Sequence, residues 1–430
     1  MNVLQAASLN VHEVSESSSA IGGAQAPSAS AVQSGNPLAL SRRADRESST
    51  DSSSSEEFIS YGDKTAAEEP VIAGNIIHGV RTTRQKVDRR PLSDWHLKPF
   101  REMTWAERLC KLAAAPEQVH ELVPETVDRG PMPTNPWWND NIFIISRAMI
   151  APVIQRTTQS YFNITWNPVA AYFFYVFIFI EFSRMVLDRL NGFSIRFGSL
   201  DEKNCGRDRT PNASVNNLAL GVVCESQQSG SKNIDFGRSC RPLLPAAYMF
   251  IRPLFTFLLA YDKTQQPLDI IRWSYPLRLM AWQLTLDYLF YCYHRLTHEV
   301  DGLWWVHKHH HSTRHPTAIL SILAEDYQEV LEIFVLPFLT SLLWRQTFTE
   351  QWITLCYTLM VEMQGHSGVR MLWHHPTLFW LKYFNCGLVL EDHDLHHRMG
   401  RSGRNYGKQS RVWDRLFGTS TERIETYGMF

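Results

Sequence analysis

Apolar residues along the chain gather into six runs, parted by polar stretches of unequal length. They read NIFIISRAMIAPVI, PVAAYFFYVFIFIEF, AAYMFIRPLFTFLLAY, YPLRLMAWQLTLDYLFYCY, VLEIFVLPFLTSLLW and WITLCYTLMVEM. None is an uninterrupted span of about 18 residues, because Arg147, Glu181, Arg252, Arg278 and Asp287 interrupt or close the first four. Runs this short also suit buried helices of a soluble α protein. Six aromatic-rich runs in one chain favour the membrane, and they pair as three hairpins with short turns at Thr157–Asn167, Asp262–Asp269 and Arg345–Gln351. That pairing leaves every long polar segment on one side. The basic stretch RTTRQKVDRR, Arg81 to Arg90, and later Arg398, Arg401, Arg404 and Arg411 place that side in the cytosol.

Composition adds limits. With 430 residues, 44% of them hydrophobic, the chain suffices for one large or two ordinary domains. Its formal net charge of -1 excludes a general attraction to nucleic acid. Seven cysteines without a CxxC pair suit a reducing compartment better than a disulfide framework. From Met1 to about Asp63, Ser, Ala, Gly and acidic residues dominate, as in SRRADRESSTDSSSSEEF, with almost no periodic apolar face. Such a stretch is expected to be a disordered tail, and it lacks the basic start and apolar run of a secretory signal. The sequon at Asn163 falls in a membrane-hugging turn, and that at Asn212 falls in a cytosolic insert, so little modification is expected at either. No solenoid repeat is visible.

The histidines carry the chemistry. Of 17, four precede residue 294 and 13 lie between His294 and His397. HRLTH sets His294 and His298 at i and i+4. HKHHH sets His307, His310 and His311 at i, i+3 and i+4, and HDLHH repeats that register with His393, His396 and His397. On a helix each set is expected to face one way, and neutral imidazole is a good ligand for iron, zinc, copper and nickel. Eight imidazoles exceed one ion's needs. His366 in QGHSG and one of His374 or His375 in LWHHP, with His374 preferred because His375 precedes Pro376, extend the candidate metal ligands to nine or ten. The zinc-hydrolase pattern H-E-x-x-H needs a glutamate where this chain has Arg295, and the Glu-x-x-His of soluble di-iron bundles is missing among the clustered histidines. Glu299, Asp326, Glu391, Asp392 and Asp394 flank the ligands and are candidates to accept the imidazoles' remote N–H. His309 reads as a bystander or supporting group, and His315 and Trp304 as packing or channel residues.

The boxes HxxxH, HxxHH and HxxHH resemble those of the fatty acid hydroxylase and sterol desaturase superfamily over roughly Trp282 to Thr419, with PTAILSILAEDYQE, GHSG, EDHDLHH and NYGKQSRVWDRLFGT similar to its fungal branch. The resemblance implies an all-α fold: integral membrane helical hairpins under a cytosolic helical cap, with a histidine-rich dimetal site between them and lipid entering from the bilayer. It also implies two iron ions held by the box histidines and His366, dioxygen as co-substrate, and residence in the endoplasmic reticulum membrane with the site facing the cytosol. The chain then divides into a tail (1–75), a cytosolic pre-membrane segment (76–135), membrane anchor helices (136–275) with a polar insert (192–242), and the histidine-box catalytic domain (276–430). The expected reaction is hydroxylation of a fatty acyl chain. Sterol oxidation or desaturation is the runner-up, and an aldehyde-processing enzyme or a non-catalytic metal-binding membrane protein are the rivals. No Rossmann glycine fingerprint, cysteine cluster or HPGG haem segment is present, so electrons must come from an external donor such as a cytochrome b5-like protein. Arg398, Arg401, Arg404, Lys408, Arg411 and Arg415 are its candidate dock, or alternatively a membrane-surface patch.

Overall fold

The computed structural model describes residues 76–77, 80–81, 94–105, 107–108, 111, 130–201, 207–208, 215, 245–322, 328 and 330–429. The serine-rich tail, most of the Arg81–Arg90 stretch, most of the polar insert with Asn212, and Asp326 lie outside them. Two compact units are present, Met1–Thr82 and Thr83–Phe430. In the first, strand β1 (Ile76–Ile77) pairs antiparallel with β2 (Val80–Arg81). The second is helical, apart from a short parallel pair of β3 (Thr134–Asn135) and β4 (Leu372–Trp373).

Its helices are α1 (Trp137–Ala148), α2 (Ile150–Phe162), α3 (Pro168–Phe197), α4 (Pro245–Ala260), α5 (Tyr275–Glu299), the single turn α6 (Trp304–His307), α7 (Leu336–Leu343), α8 (Phe348–His366), α9 (Leu390–Arg398) and α10 (Val412–Leu416). Their ends follow local chemistry. Asn167 caps α3 by accepting from the Val169 and Ala170 N–H groups, with Pro168 at the first helical position. At the start of α8 the Thr347 N–H donates to Glu350 Oε2 at 3.0 Å. Asn163 closes α2 in the left-handed region, φ 50°.

The expected row of membrane hairpins is met only in part. Among the described residues, α3 alone is long and apolar enough to cross a membrane. The first apolar run breaks at Met149 into α1 and α2, of 12 and 13 residues, each short of a roughly 30 Å hydrocarbon core. The fifth run likewise splits into a π-helical turn, Val330–Val335, followed by α7. The three expected turns nevertheless meet at one end of the bundle. Arg272 binds Glu350, Thr349 Oγ1 donates to the Pro267 carbonyl at 2.5 Å, and Arg156 reaches Asp269 at 3.3 Å. Trp352 of α8 centres the core, fully buried against Tyr175 of α3, its Nε1 donating to the Ala148 carbonyl at 2.8 Å. On the opposite side of α3, Val169, Phe173 and Phe177 are more than half exposed, an apolar stripe with no covering element among the described residues.

Candidate metal centre

Away from the clustered turns, α5, α6 with the 3-10 turn after it, α8 and α9 bring nine imidazoles together. His294, His298, His307, His311 and His396 form one buried group, and His310, His366, His393 and His397 a second. Within each group the candidate ligand atoms lie within 4.8 Å of one another. The groups adjoin, with rings of His311 and His397 4.8 Å apart and those of His307 and His310 5.1 Å apart.

The triplet boxes do not each face one way. HKHHH is not one helix: His307 ends α6, and His310 and His311 sit on the following 3-10 turn. In both triplets the i, i+4 pair stays together and the remaining histidine crosses over. His307 and His311 share a group while His310 joins the other, and His393 and His397 share a group while His396 joins the first. Successive helical residues point about 100° apart, so an adjacent His–His pair supplies one ligand to each side.

For five of the nine rings, orientation is set from behind by the main chain. The Nδ1–H of His294 donates to the Tyr406 carbonyl at 2.8 Å, His298 to Arg401 at 3.0 Å, His396 to Arg404 at 2.8 Å, His397 to Thr313 at 3.1 Å and His366 to Glu362 at 2.9 Å. With Nδ1 protonated, each Nε2 turns a lone pair inward. There His298 Nε2 and His397 Nε2 are buried with no hydrogen-bond partner. The inward nitrogens of His294 and His307 approach to 2.9 Å, those of His311 and His396 to 3.0 Å, and those of His366 to 3.1 Å from both His310 and His393. Orphaned, converging lone pairs are costly without a cation to share, so the residues fit two metal ions. Burial also pushes all nine imidazoles below their ordinary range, His298 and His366 to about 4, which keeps them neutral and able to ligate.

Neither histidine of LWHHP joins a group. His374 is half-buried outside both. His375 is buried, but its Nδ1 already accepts from the Leu378 N–H at 3.0 Å and its Nε2 meets Gln409 at 3.2 Å. His309 also lies outside both groups. Trp304 packs its ring on His298 at 5.1 Å. His315 is buried, its backbone N–H donating to Asp208.

The acidic neighbours do not take the imidazole N–H groups as expected. Glu391 accepts from the Ile424, Glu425 and Thr426 N–H groups, Asp392 pairs with Arg423 at 2.7 Å, and Asp394 pairs with Arg207 at 2.5 Å and Arg398 at 2.8 Å. Glu299 pairs with Arg295 on the surface. These carboxylates anchor α9 and α5 rather than the rings. The supporting role falls to the loop Arg401–Tyr406, whose NYGKQS continuation is clamped by Asp287 and Asp414. Asp287 accepts from the Lys408 and Gln409 N–H groups and from Ser410 Oγ, and Asp414 from the Tyr406 and Gly407 N–H groups. The motif NYGKQS was visible in the sequence, but acceptance by main-chain carbonyls leaves no side-chain signature.

A cleft enclosing about 690 Å³, its opening included, lies beside this part of the molecule, with none of the nine histidines in its lining. Its apolar wall includes Phe255, Trp282, Leu286 and Ile333, and its polar end holds Arg252, Glu332, Glu362 and Lys408. Phe290, also in the wall, lies 5.2 Å from the His294 ring.

Fold and site together define an α-helical protein whose buried imidazoles are laid out as two adjoining groups, each of which could hold a metal ion. Residues 279–419, which contain all nine, match the family model described as fatty acid hydroxylase. A fatty acid hydroxylase of Lecanicillium sp, vlmA, is 41% identical over 188 residues, covering 41% of this chain and 52% of the relative. A very-long-chain aldehyde decarbonylase of Oryza sativa subsp. japonica is 32% identical over 33% of this chain and 50% of its own. Methylsterol monooxygenase 1 of Rattus norvegicus is 28% identical over 42% of this chain and 57% of its own. The chain thus spans about half the length of the curated relatives it matches. No solved structure matches it.

Proposed function

We propose that the protein is a membrane-bound, iron-dependent and dioxygen-using lipid hydroxylase that acts on an unactivated C–H bond of a fatty acyl chain. The observation that carries this reading is the pair of buried all-histidine groups, separated from an apolar cleft by wall residues such as Phe290, which packs on His294. His294, His298, His307, His311 and His396 would hold one iron, and His310, His366, His393 and His397 the other. Iron bound there would supply dioxygen activation. The protein's own share is to aim Nε2 lone pairs through main-chain acceptors, to exclude water from a fully buried centre, and to seat one carbon of an apolar chain beside it. One oxygen atom enters the C–H bond and the other leaves as water, with two electrons and two protons consumed. No electron carrier is recognisable in this chain, so a separate donor resembling cytochrome b5 supplies the electrons. The apolar outer stripe of α3 suits a lipid bilayer, and resemblance to the fatty acid hydroxylase superfamily suits the endoplasmic reticulum with the histidines on the cytosolic side.

Sterol oxidation is the second reading, favoured by the methylsterol monooxygenase relatives at 26 to 32% identity. Lipid mass spectrometry of cells with and without the chain, with metal analysis of the purified protein, decides between them. The expected result is iron together with an acyl lipid heavier by one oxygen. An oxidised sterol would shift the substrate, and unchanged lipids or a metal other than iron would overturn the reading.

A further inference from the structure

The polar insert 192–242 carries no chemistry that its sequence announces, yet Arg207 and Asp208 within it reach every segment that supplies the four-histidine group. Asp208 Oδ2 accepts from the Arg314 N–H at 2.5 Å and from the His315 N–H at 2.8 Å, and the Asp208 N–H donates to the His315 carbonyl at 2.7 Å. That clamp fixes the chain just after His310. Arg207 is buried, paired with Asp394 at 2.5 Å between His393 and His397 on α9, and its Nη2 donates to the Leu200 carbonyl at 2.6 Å. The same guanidinium fills the space that a side chain at Gly368, two residues beyond His366, would need.

One peptide group joins this clamp to the imidazoles. The Arg314 N–H that Asp208 accepts and the Thr313 carbonyl belong to the same peptide plane, and that carbonyl accepts from His397 Nδ1 at 3.1 Å. A planar trans peptide carries its N–H and C=O on opposite edges, so a carboxylate bound at one edge orients the other and polarises it. Across the ring, His397 Nε2 is buried without a hydrogen-bond partner. Resting on the reading of the nine imidazoles as two iron groups, we infer that Asp208 is a positioning residue of the four-histidine group, acting through the Thr313–Arg314 peptide to aim His397, while Arg207 holds α9 in step with it. The role is selective, because His294, His298 and His396 of the other group take their acceptors from the separate loop at Tyr406, Arg401 and Arg404. A carboxylate that acts on a ligand through a main-chain peptide, from more than 100 residues away in the chain, leaves no spacing by which the sequence could reveal it.

The test uses the full-length chain in detergent, both iron-loaded and metal-free. Iron per chain is counted by plasma mass spectrometry, and each histidine is scored by peptide mass spectrometry for modification by diethyl pyrocarbonate, which attacks accessible imidazole nitrogen. Asp208→Ala should weaken iron binding at the four-histidine group about 10- to 100-fold, leaving roughly one tightly held ion per chain. Label should then appear on His310, His366, His393 and His397 and spare His294, His298, His307, His311 and His396, whereas a merely structural loss would label both groups alike. Asp208→Asn, whose Oδ1 is an acceptor for the same two N–H groups, should keep both ions and the wild-type label pattern. If the alanine variant does not fold, Asp208→Glu, which displaces the acceptor, is scored instead and should open the same four histidines. Wild-type labelling in Asp208→Ala, labelling of both groups, or loss of the ion in Asp208→Asn overturns the inference and leaves the hydroxylase reading standing. Conversely, a wild-type chain that takes up no iron overturns the hydroxylase reading, and the label pattern of the metal-free proteins still decides the role of Asp208.

Discussion

At the scale of single residues, the nine imidazoles divide the histidines sharply from their neighbours. His310 lies in the four-membered group, so His310→Ala should lose metal and turnover together, whereas His374→Ala, outside both groups, should keep its metal. Iron content by plasma mass spectrometry checks the pair, and a fully loaded His310→Ala protein would sink the assignment. Burial also has a pH signature. Free imidazole titrates near 6.5, whereas His298 and His366 are pushed down to about 4. Above 6.5 neither the folded nor the unfolded state is protonated. As pH falls below it, the unfolded chain gains protons that the folded chain refuses, so stability declines until the folded value is reached. The metal-free protein should therefore lose melting temperature steadily from pH 6.5 to about 4. A flat profile in that window would show that these rings are not buried as described.

At the scale of elements, α9 owes its place to the acids between its histidines. Burial alone would push the Asp394 carboxyl up, but Arg207 and Arg398 outweigh it and bring it to about 2. Asp394→Ala leaves the fully buried Arg207 guanidinium without that carboxylate and should cost about 3–5 kcal/mol, whereas Arg398→Ala, at a partly exposed pair, should cost under about 1 kcal/mol. Denaturation of the metal-free proteins separates these losses from any loss of metal. Gly368 belongs to the same joint, because at φ 58° a Cβ there would collide with the Arg207 guanidinium. The boxes were legible from spacing because i, i+4 pairs share a face whatever follows. The placing of His310 was not, since it depends on a 3-10 turn after α6 that HKHHH does not announce, whereas that of His396 follows from the step between neighbouring residues of α9. The acids misled for a related reason: proximity in sequence to a ligand says nothing about the direction of a side chain pointing out of the other face of α9.

At the scale of the molecule, the cationic run from Arg398 to Arg415 is not a single patch. Lys408 turns into the cleft, Arg411 is buried against Asp392, and Arg398 pairs with Asp201 and Asp394. Arg401 pairs with Asp301, which leaves Arg404 and Arg415 as the exposed members. A docking role for this face therefore predicts that Arg404→Glu with Arg415→Glu slows reduction by a cytochrome b5-like donor roughly tenfold at low salt and flattens its salt dependence. Dithionite reduction should be unchanged, and stopped-flow traces over a salt series measure both. Unaltered donor kinetics would return the patch to the membrane surface. The three-hairpin pattern was readable because the turns are polar and short. The interruption at Met149 was not, because the sequence is apolar on both sides of it.

The acceptors behind His294, His298, His396 and His397 are oxygens that every amino acid carries. Thr313, Arg401, Arg404 and Tyr406 can thus be exchanged for other residues without releasing a ring, which is why the Arg404→Glu protein is expected to stay loaded. What the centre needs from this loop is its length. One residue inserted between His397 and Arg401 would slide the Arg401, Arg404 and Tyr406 carbonyls out of register at once, and three imidazoles would lose their aim without a single ligand having been changed.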